Sequence, residues 1–184
     1  MILPIYLIGH PVLRKVAKDI DKDYPELDKL ISDMFDTMYK SDGVGLAAPQ
    51  VGKSIRLFVI DGNPMAEEYP ELEGFKKVFI NAHLVDEEGE EWSFNEGCLS
   101  IPGIREDVKR LTKFRLQYYD ENWEYHDELF EGGQARIMQH EYDHLDGILF
   151  TDKISPIRRR LIKSKLAAIA KGRVVPKYKH VKNR

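Results

Sequence analysis

The 184-residue sequence contains one cysteine, Cys98, which excludes an intrachain disulfide and a zinc site built from four cysteines. It has no apolar run of about 18 residues, the length that a membrane-spanning helix needs. The apolar start, Met1 to Ile8, lacks a basic leader and a cleavage site, and Pro4 interrupts it. We therefore expect no signal peptide, no membrane partner and a location in the cytoplasm.

Acidic residues are absent from the end of the chain. From Lys153 onward there are twelve Lys and Arg residues and no Asp or Glu, whereas residues 1–152 carry a formal charge of −15. This division fits a basic end that meets a polyanion, and it fits a solvated helix face equally well. A nucleic-acid-binding module is therefore one functional class to weigh.

Several short strands followed by helices predict an α+β fold, for which we expect antiparallel or mixed β-sheets packed around a central helix. Apolar residues at spacings of three and four predict an N-terminal helix over 25–40 and a C-terminal helix over about 155–171. A single domain is expected over residues 1–172, followed by a flexible basic tail over residues 173–184.

Shorter apolar or alternating segments predict β-strands, and a segment rich in Pro, Gly and Glu predicts a long mobile loop. The strands are expected at 55–60, 77–84, 111–119 and 123–130, and the loop at 61–76.

The strongest chemical signal lies in the predicted central helix, from Gln139 to His144, as an H-E-x-x-H pattern. Four residues make about one helical turn, so His140 and His144 lie on one face, as two ligands of one metal ion do. Glu141 lies about 100° round the helix from His140, where it reaches a metal-bound water without being a ligand. An amphipathic helix with two surface histidines gives the same pattern.

A catalytic metal site of this kind takes a third protein ligand and keeps one position for water. Cys98 is a candidate, because Gly97 allows a close approach just before the thiol and a metal holds the thiol as thiolate. Carboxylates of the many Asp and Glu residues remain alternatives. A zincin-type metallopeptidase requires a third His or Glu after the motif, and beyond Asp152 only His180 is available.

Three separated motifs stand out: Gly43-Val44-Gly45-Leu46-Ala47-Ala48-Pro49-Gln50, Glu96-Gly97-Cys98-Leu99-Ser100 and Gln139-His140-Glu141-Tyr142-Asp143-His144. Together they resemble the motifs of the peptide deformylases, which remove the formyl group from the N-terminal methionine of new bacterial proteins. The similarity runs from about His10 to Ser155. It departs from the family at Gly133-Gln134 and in the longer 61–76 loop.

The resemblance implies one catalytic domain in which Cys98, His140 and His144 bind a divalent metal ion. It implies that metal-bound water attacks the formyl carbon, with Glu141 as general acid and base. Iron(II) is implied in the cell, with zinc, nickel or cobalt as substitutes, and mixed Cys/His ligation suits all four metals.

The resemblance also implies an oxyanion site and a peptide groove. Gln50 and the backbone N–H of Leu99 stabilise the oxyanion, and Val44, Gly45 and Gly97 pair by backbone with an extended substrate. The implied substrates are N-formylmethionyl nascent peptides, with ribosomal RNA contacted by the basic C-terminal helix and tail.

Three further residues are candidates for substrate binding. Ile137 lies one helical turn before Glu141 and is a candidate wall of a slot for the methionine side chain, or an ordinary core residue. Glu96 and Arg105 are candidates to contact the peptide or each other.

Overall fold

The computed structural model describes residues 1–181 and residue 183. Its strands are β1 (Ile5–Tyr6), β2 (Gly45–Ala47), β3 (Leu57–Asp61), β4 (Lys76–Cys98), β5 (Ile101–Tyr119), β6 (Tyr125–Glu131) and β7 (His180–Val181). Its α-helices are α1 (Leu27–Lys40), α2 (Gly132–Leu145) and α3 (Pro156–Ala170). Over this part of the chain, no helix combines the length and the hydropathy that crossing a bilayer demands.

The main sheet has five antiparallel strands in the order β2-β3-β4-β5-β6. Successive side chains of β3 point to opposite faces. Leu57 and Val59 join one apolar core, to which α1 contributes, and Phe58 and Ile60 join a second core, to which α2 contributes. The predicted α+β fold is thus confirmed, with the motif helix packed against the sheet.

The β4–β5 hairpin is much longer than the sequence pattern predicted. The prediction ended a strand at Leu84, but β4 continues through the acidic segment to Cys98. Acidic residues of this segment pair across the hairpin with basic residues: Asp86 lies opposite Arg115, and Glu88 opposite Lys113. Opposite charges facing each other stabilise a strand pair without apolar burial, so the hydrophobic pattern did not reveal it.

The segment predicted as a loop at 61–76 caps the motif helix. It contains two 3₁₀ turns, and Leu72 is fully buried. The Gly133 N–H donates to Glu71 Oε1 at 2.8 Å, and Gln134 Nε2 donates to the Glu71 carbonyl at 2.7 Å. A Cβ on Gly133 would lie 3.0 Å from Glu71 Oε1, so the unusual Gly-Gln pair and the longer loop fit one another.

The C-terminal helix agrees with its prediction. Ser155 caps α3 by accepting from the Arg158 N–H at 3.2 Å, and Pro156 occupies the first helical turn. The flexible tail at 173–184 stays a prediction, and residues 182 and 184 of it lie outside the described residues. Within this segment, strand β7 pairs in parallel with β1. A two-residue strand has no periodicity of its own, so the sequence pattern did not predict it.

Candidate metal centre and active site

The three sequence motifs converge on one place. Cys98 ends strand β4, and His140 and His144 project from α2. The ligand atoms of these three residues all lie within 4.8 Å of one another, and Cys98 Sγ is 3.5 Å from His144 Nε2. One thiolate and two imidazoles form a donor set that suits zinc, iron(II), cobalt and nickel, so the residues present fit a metal ion. A zincin-type metallopeptidase would take its third metal ligand from a His or Glu that follows the H-E-x-x-H motif. The third residue of this cluster is instead Cys98, which precedes the motif.

A buried carboxylate orients the first histidine. Glu96 is only 4% exposed, and its Oε1 lies 2.8 Å from His140 Nδ1. This contact makes Nδ1 the donor and leaves Nε2 of His140 to bind a metal ion. Burial alone would raise the pKa of Glu96, but the hydrogen bond from His140 and the charge of Arg110 outweigh burial and lower the pKa. Glu96 is therefore a carboxylate at neutral pH.

Two buried arginines complete this arrangement, and sequence reasoning missed both. Arg110 donates to both oxygens of Glu96, at 2.8 and 3.1 Å, and to Asp143 Oδ2 at 2.7 Å. Arg136 is 1% exposed and donates to Glu96 Oε2 at 2.9 Å. We call Glu96, Arg110, Arg136 and Asp143 the buried charge cluster. One signal was available, because Arg136 precedes His140 by four residues and therefore shares its helix face.

The contact predicted between Glu96 and Arg105 is absent from the described residues, and a substrate role for either stays a prediction. The Glu96 carboxylate is enclosed by Arg110, Arg136 and His140. It does not contact Arg105, whose guanidinium donates to the Asn95 side chain at 2.8 Å and to the Asn95 carbonyl at 3.0 Å. Arg105 itself is exposed on β5.

The small-residue segment passes directly against the candidate base. A Cβ on Gly45 would lie 2.6 Å from Glu141 Oε1, so only glycine allows β2 to approach α2 this closely. Glu141 is 5% exposed, and its Oε2 has no hydrogen-bond partner in the described part of the chain. Burial raises the pKa of Glu141 to about 7. A carboxyl group with this pKa both accepts and donates protons near neutrality.

Gln50 is held in one orientation beside the metal ligands. Its Oε1 accepts from the Ala47 N–H at 2.9 Å, which fixes the amide so that Nε2 faces the centre. Nε2 lies 3.3 Å from Cys98 Sγ and 3.1 Å from Ser100 Oγ. A buried neutral donor thus lies beside the candidate metal ligand Cys98. Leu99 follows Cys98 in the turn between β4 and β5.

The remaining candidates lie around this centre. Within the described chain β2 pairs only with β3 and is an edge strand, which suits backbone pairing of an extended peptide at Val44 and Gly45. Gly97 lies on the neighbouring hairpin, where a Cβ would meet the Arg105 guanidinium at 2.6 Å. Ile137 is 6% exposed and belongs to the second core, against which Val44 packs.

Comparisons with known proteins agree with this geometry. The sequence profile described as polypeptide deformylase matches residues 2–160. A peptide deformylase of Christiangramia forsetii is 58% identical over 97% of this chain and 95% of its own, and one of Flavobacterium psychrophilum is 53% identical over 97% and 96%. The crystal structure of a Legionella pneumophila peptide deformylase is 39% identical, with a TM-score of 0.79 over 92% of this chain and 95% of that chain. The chain therefore belongs to the polypeptide deformylase family of metal-dependent hydrolases.

Proposed function

We propose that this chain removes the formyl group from the N-terminal formyl-methionine of newly made polypeptides and releases formate. The observation that carries the proposal is the convergence of Cys98, His140 and His144 beside a buried Glu141. We further propose that residues 1–172 form one catalytic domain and that the enzyme works in the cytoplasm, where nascent chains emerge.

We propose iron(II) as the metal in the cell, with zinc, nickel or cobalt as substitutes. The Cys/His₂ donor set supports this range without choosing among its members. A divalent metal ion held by these side chains supplies the Lewis acidity that makes water a nucleophile at neutral pH.

Residues of the chain then transfer the proton and stabilise the charge that develops in the transition state. Glu141 accepts the proton of the attacking water and hands it to the departing amine nitrogen, as its pKa of about 7 favours. Gln50 Nε2 and the Leu99 N–H donate to the formyl oxygen, on which negative charge develops. One such donor contributes about 3–4 kcal/mol to transition-state stabilisation.

The peptide beyond the formyl group is proposed to lie extended along the edge of β2. Val44, Gly45 and Gly97 pair with it by backbone, and the methionine side chain packs against Ile137. Arg105, exposed at the rim, is proposed to contact the residues after methionine.

The test is formate release from a formyl-Met peptide under anaerobic conditions. Glu141→Gln keeps the size of the side chain but cannot accept a proton, so it should lose nearly all activity while still binding metal. Cys98→Ala should lose both activity and metal binding. Retention of activity by metal-loaded Glu141→Gln would contradict the mechanism. Cleavage of internal peptide bonds by the wild type would favour the metallopeptidase.

We also propose that the basic helix α3 contacts ribosomal RNA. Arg160 and Lys163 are exposed on this helix, whereas Arg158 is bound to Glu106 at 2.7 Å. Arg160→Glu with Lys163→Glu should reduce co-sedimentation with ribosomes and leave peptide deformylation unchanged. Lys15→Glu with Lys22→Glu, a pair of equal charge elsewhere on the surface, is the control. Equal losses in both pairs would refute a specific contact.

A further inference from the structure

The two ends of the described chain meet in a small sheet of their own. Strand β1 pairs in parallel with β7, and the Ile5 N–H donates to the Lys179 carbonyl at 3.0 Å. Asn183 Nδ2 donates to the Ile8 carbonyl at 2.8 Å. We call strands β1 and β7, together with Ile8, Tyr178 and Asn183, the terminal sheet.

The terminal sheet holds two consecutive carbonyls of the turn that carries the proposed oxyanion donor. The Ile8 N–H donates to the Ser100 carbonyl at 2.8 Å, and the Tyr178 hydroxyl donates to the Leu99 carbonyl. The same turn is held from the other side, because Ser100 Oγ accepts from Gln50. The turn follows Cys98 directly, so its anchoring bears on the metal ligand and on the Leu99 N–H together.

Tyr178 is built into this position. Its side chain is half-buried and packs against the first core, beside Cys98 and Leu99. A carbonyl oxygen only accepts, so the hydroxyl has to be the donor. Fixing the Leu99 carbonyl restrains the rotation of the peptide plane next to the one that carries the Leu99 N–H. A donor aimed at developing charge is effective only when it is held in place before the reaction.

We propose that Tyr178 is a positioning residue for deformylation, acting through Leu99. Its hydroxyl fixes the turn after Cys98 so that the Leu99 N–H points at the formyl oxygen. The C-terminal segment thereby belongs to the catalytic architecture. This inference rests on the proposed function and adds to it a residue outside the three motifs.

The test is Tyr178→Phe, which removes the hydroxyl and keeps the ring. In the metal-loaded enzyme kcat should fall about fivefold, the rate equivalent of one neutral hydrogen bond. KM and metal content should stay at wild-type values, because ring packing and ligands are unchanged. Tm should fall by no more than about 3 °C, the effect of losing one such hydrogen bond. Amide hydrogen exchange over residues 97–101 should become faster, which a catalytic assay alone does not reveal.

Lys179→Ala is the matched control. It removes a contact of the same segment, from Lys179 Nζ to the Ile2 carbonyl at 3.1 Å, which lies at the surface and away from the turn. This variant should keep wild-type kcat and exchange. A kcat for Tyr178→Phe within twofold of wild type would overturn the proposal. So would a fall in kcat that is matched by loss of metal or by a fall in Tm of more than about 3 °C.

Glu141→Gln separates this inference from the proposed function. Suppose that the wild type releases formate, that Glu141→Gln does not, and that Tyr178→Phe has wild-type kcat. In that case only the role of Tyr178 fails. If wild type releases no formate, or Glu141→Gln remains active, the proposed function fails and the role of Tyr178 fails with it.

Discussion

Replacing Glu96 by glutamine should both destabilise the fold and weaken metal binding, because one carboxylate serves two buried arginines and His140. Removing one partner of a buried ion pair costs about 3–5 kcal/mol. Arg110 keeps Asp143 at 2.7 Å, and Arg136 keeps the carbonyls of Trp92 and Val108 and its stacking over the Trp92 and Phe94 rings. We therefore expect the lower end of the range, about 3 kcal/mol.

This loss translates into a measurable melting temperature. A chain of 184 residues has an unfolding entropy of about 0.4 kcal/mol/K, so about 3 kcal/mol lowers Tm by about 8 °C. Metal affinity should fall about 10- to 100-fold, because His140 loses the carboxylate that orients it. Thermal melts of the metal-loaded protein and competition with a chelator measure the two effects separately.

Glu106→Gln is the matched control for this experiment. Glu106 is also a buried carboxylate bound to an arginine, but the Arg158 side chain is 52% exposed. Such pairs contribute less than about 1 kcal/mol, so Tm should fall by less than about 3 °C and metal affinity should not change. If Glu96→Gln lowers Tm no more than Glu106→Gln does and binds metal as tightly as wild type, the buried charge cluster neither stabilises the fold nor supports metal binding.

Three further predictions follow from the same structure. Gly45→Ala places a methyl group 2.6 Å from Glu141 Oε1, so kcat should fall on the order of 100-fold. Overpacking costs about 1–3 kcal/mol, so Tm should also fall by about 3–8 °C, and wild-type kinetics with a wild-type Tm would exclude the close contact. Gln50→Ala removes the proposed oxyanion donor, so kcat should fall about 10²- to 10³-fold while KM stays within a few-fold of wild type in steady-state assays. The hydrogen bond from Arg158 lowers the pKa of Glu106 below its ordinary 4.5, so this pair stabilises the fold above that pH and the contribution is lost on acidification. Melts between about pH 7 and pH 3 should show a shallower loss in Arg158→Ala, and identical slopes would count against the pair.

The residues that sequence analysis identified share one property, which is a pattern visible within a short segment. The H-E-x-x-H spacing places His140 and His144 on one helix face, and the structure has them there on α2. Apolar periodicity likewise predicted α1 and α3 to within about two residues. The antiparallel sheet and its relation to the motif helix followed from the order of the elements.

The features that sequence analysis missed depend on contacts between residues that are far apart in the sequence. Arg110 and Arg136 are charged, which normally indicates a surface position, and only the carboxylate of Glu96 makes their burial possible. The long β4–β5 hairpin is stabilised by facing charges, so it lacks the alternation of apolar residues that marks a strand. Tyr178 looked like part of a basic tail, because nothing near it in the sequence indicates the Leu99 carbonyl.

The terminal sheet also bears on the order in which the molecule folds. Residue 5 pairs with residue 180, and closing so long a loop carries a large entropic cost unless the intervening chain is already compact. Contacts between distant residues form slowly for the same reason. Neighbouring strands of the five-stranded sheet follow one another in sequence, so we expect this sheet to form before the closure. Refolding should therefore pass through a species with native secondary structure and a complete set of metal ligands in which the turn after Cys98 is still untethered, so that catalytic power returns last.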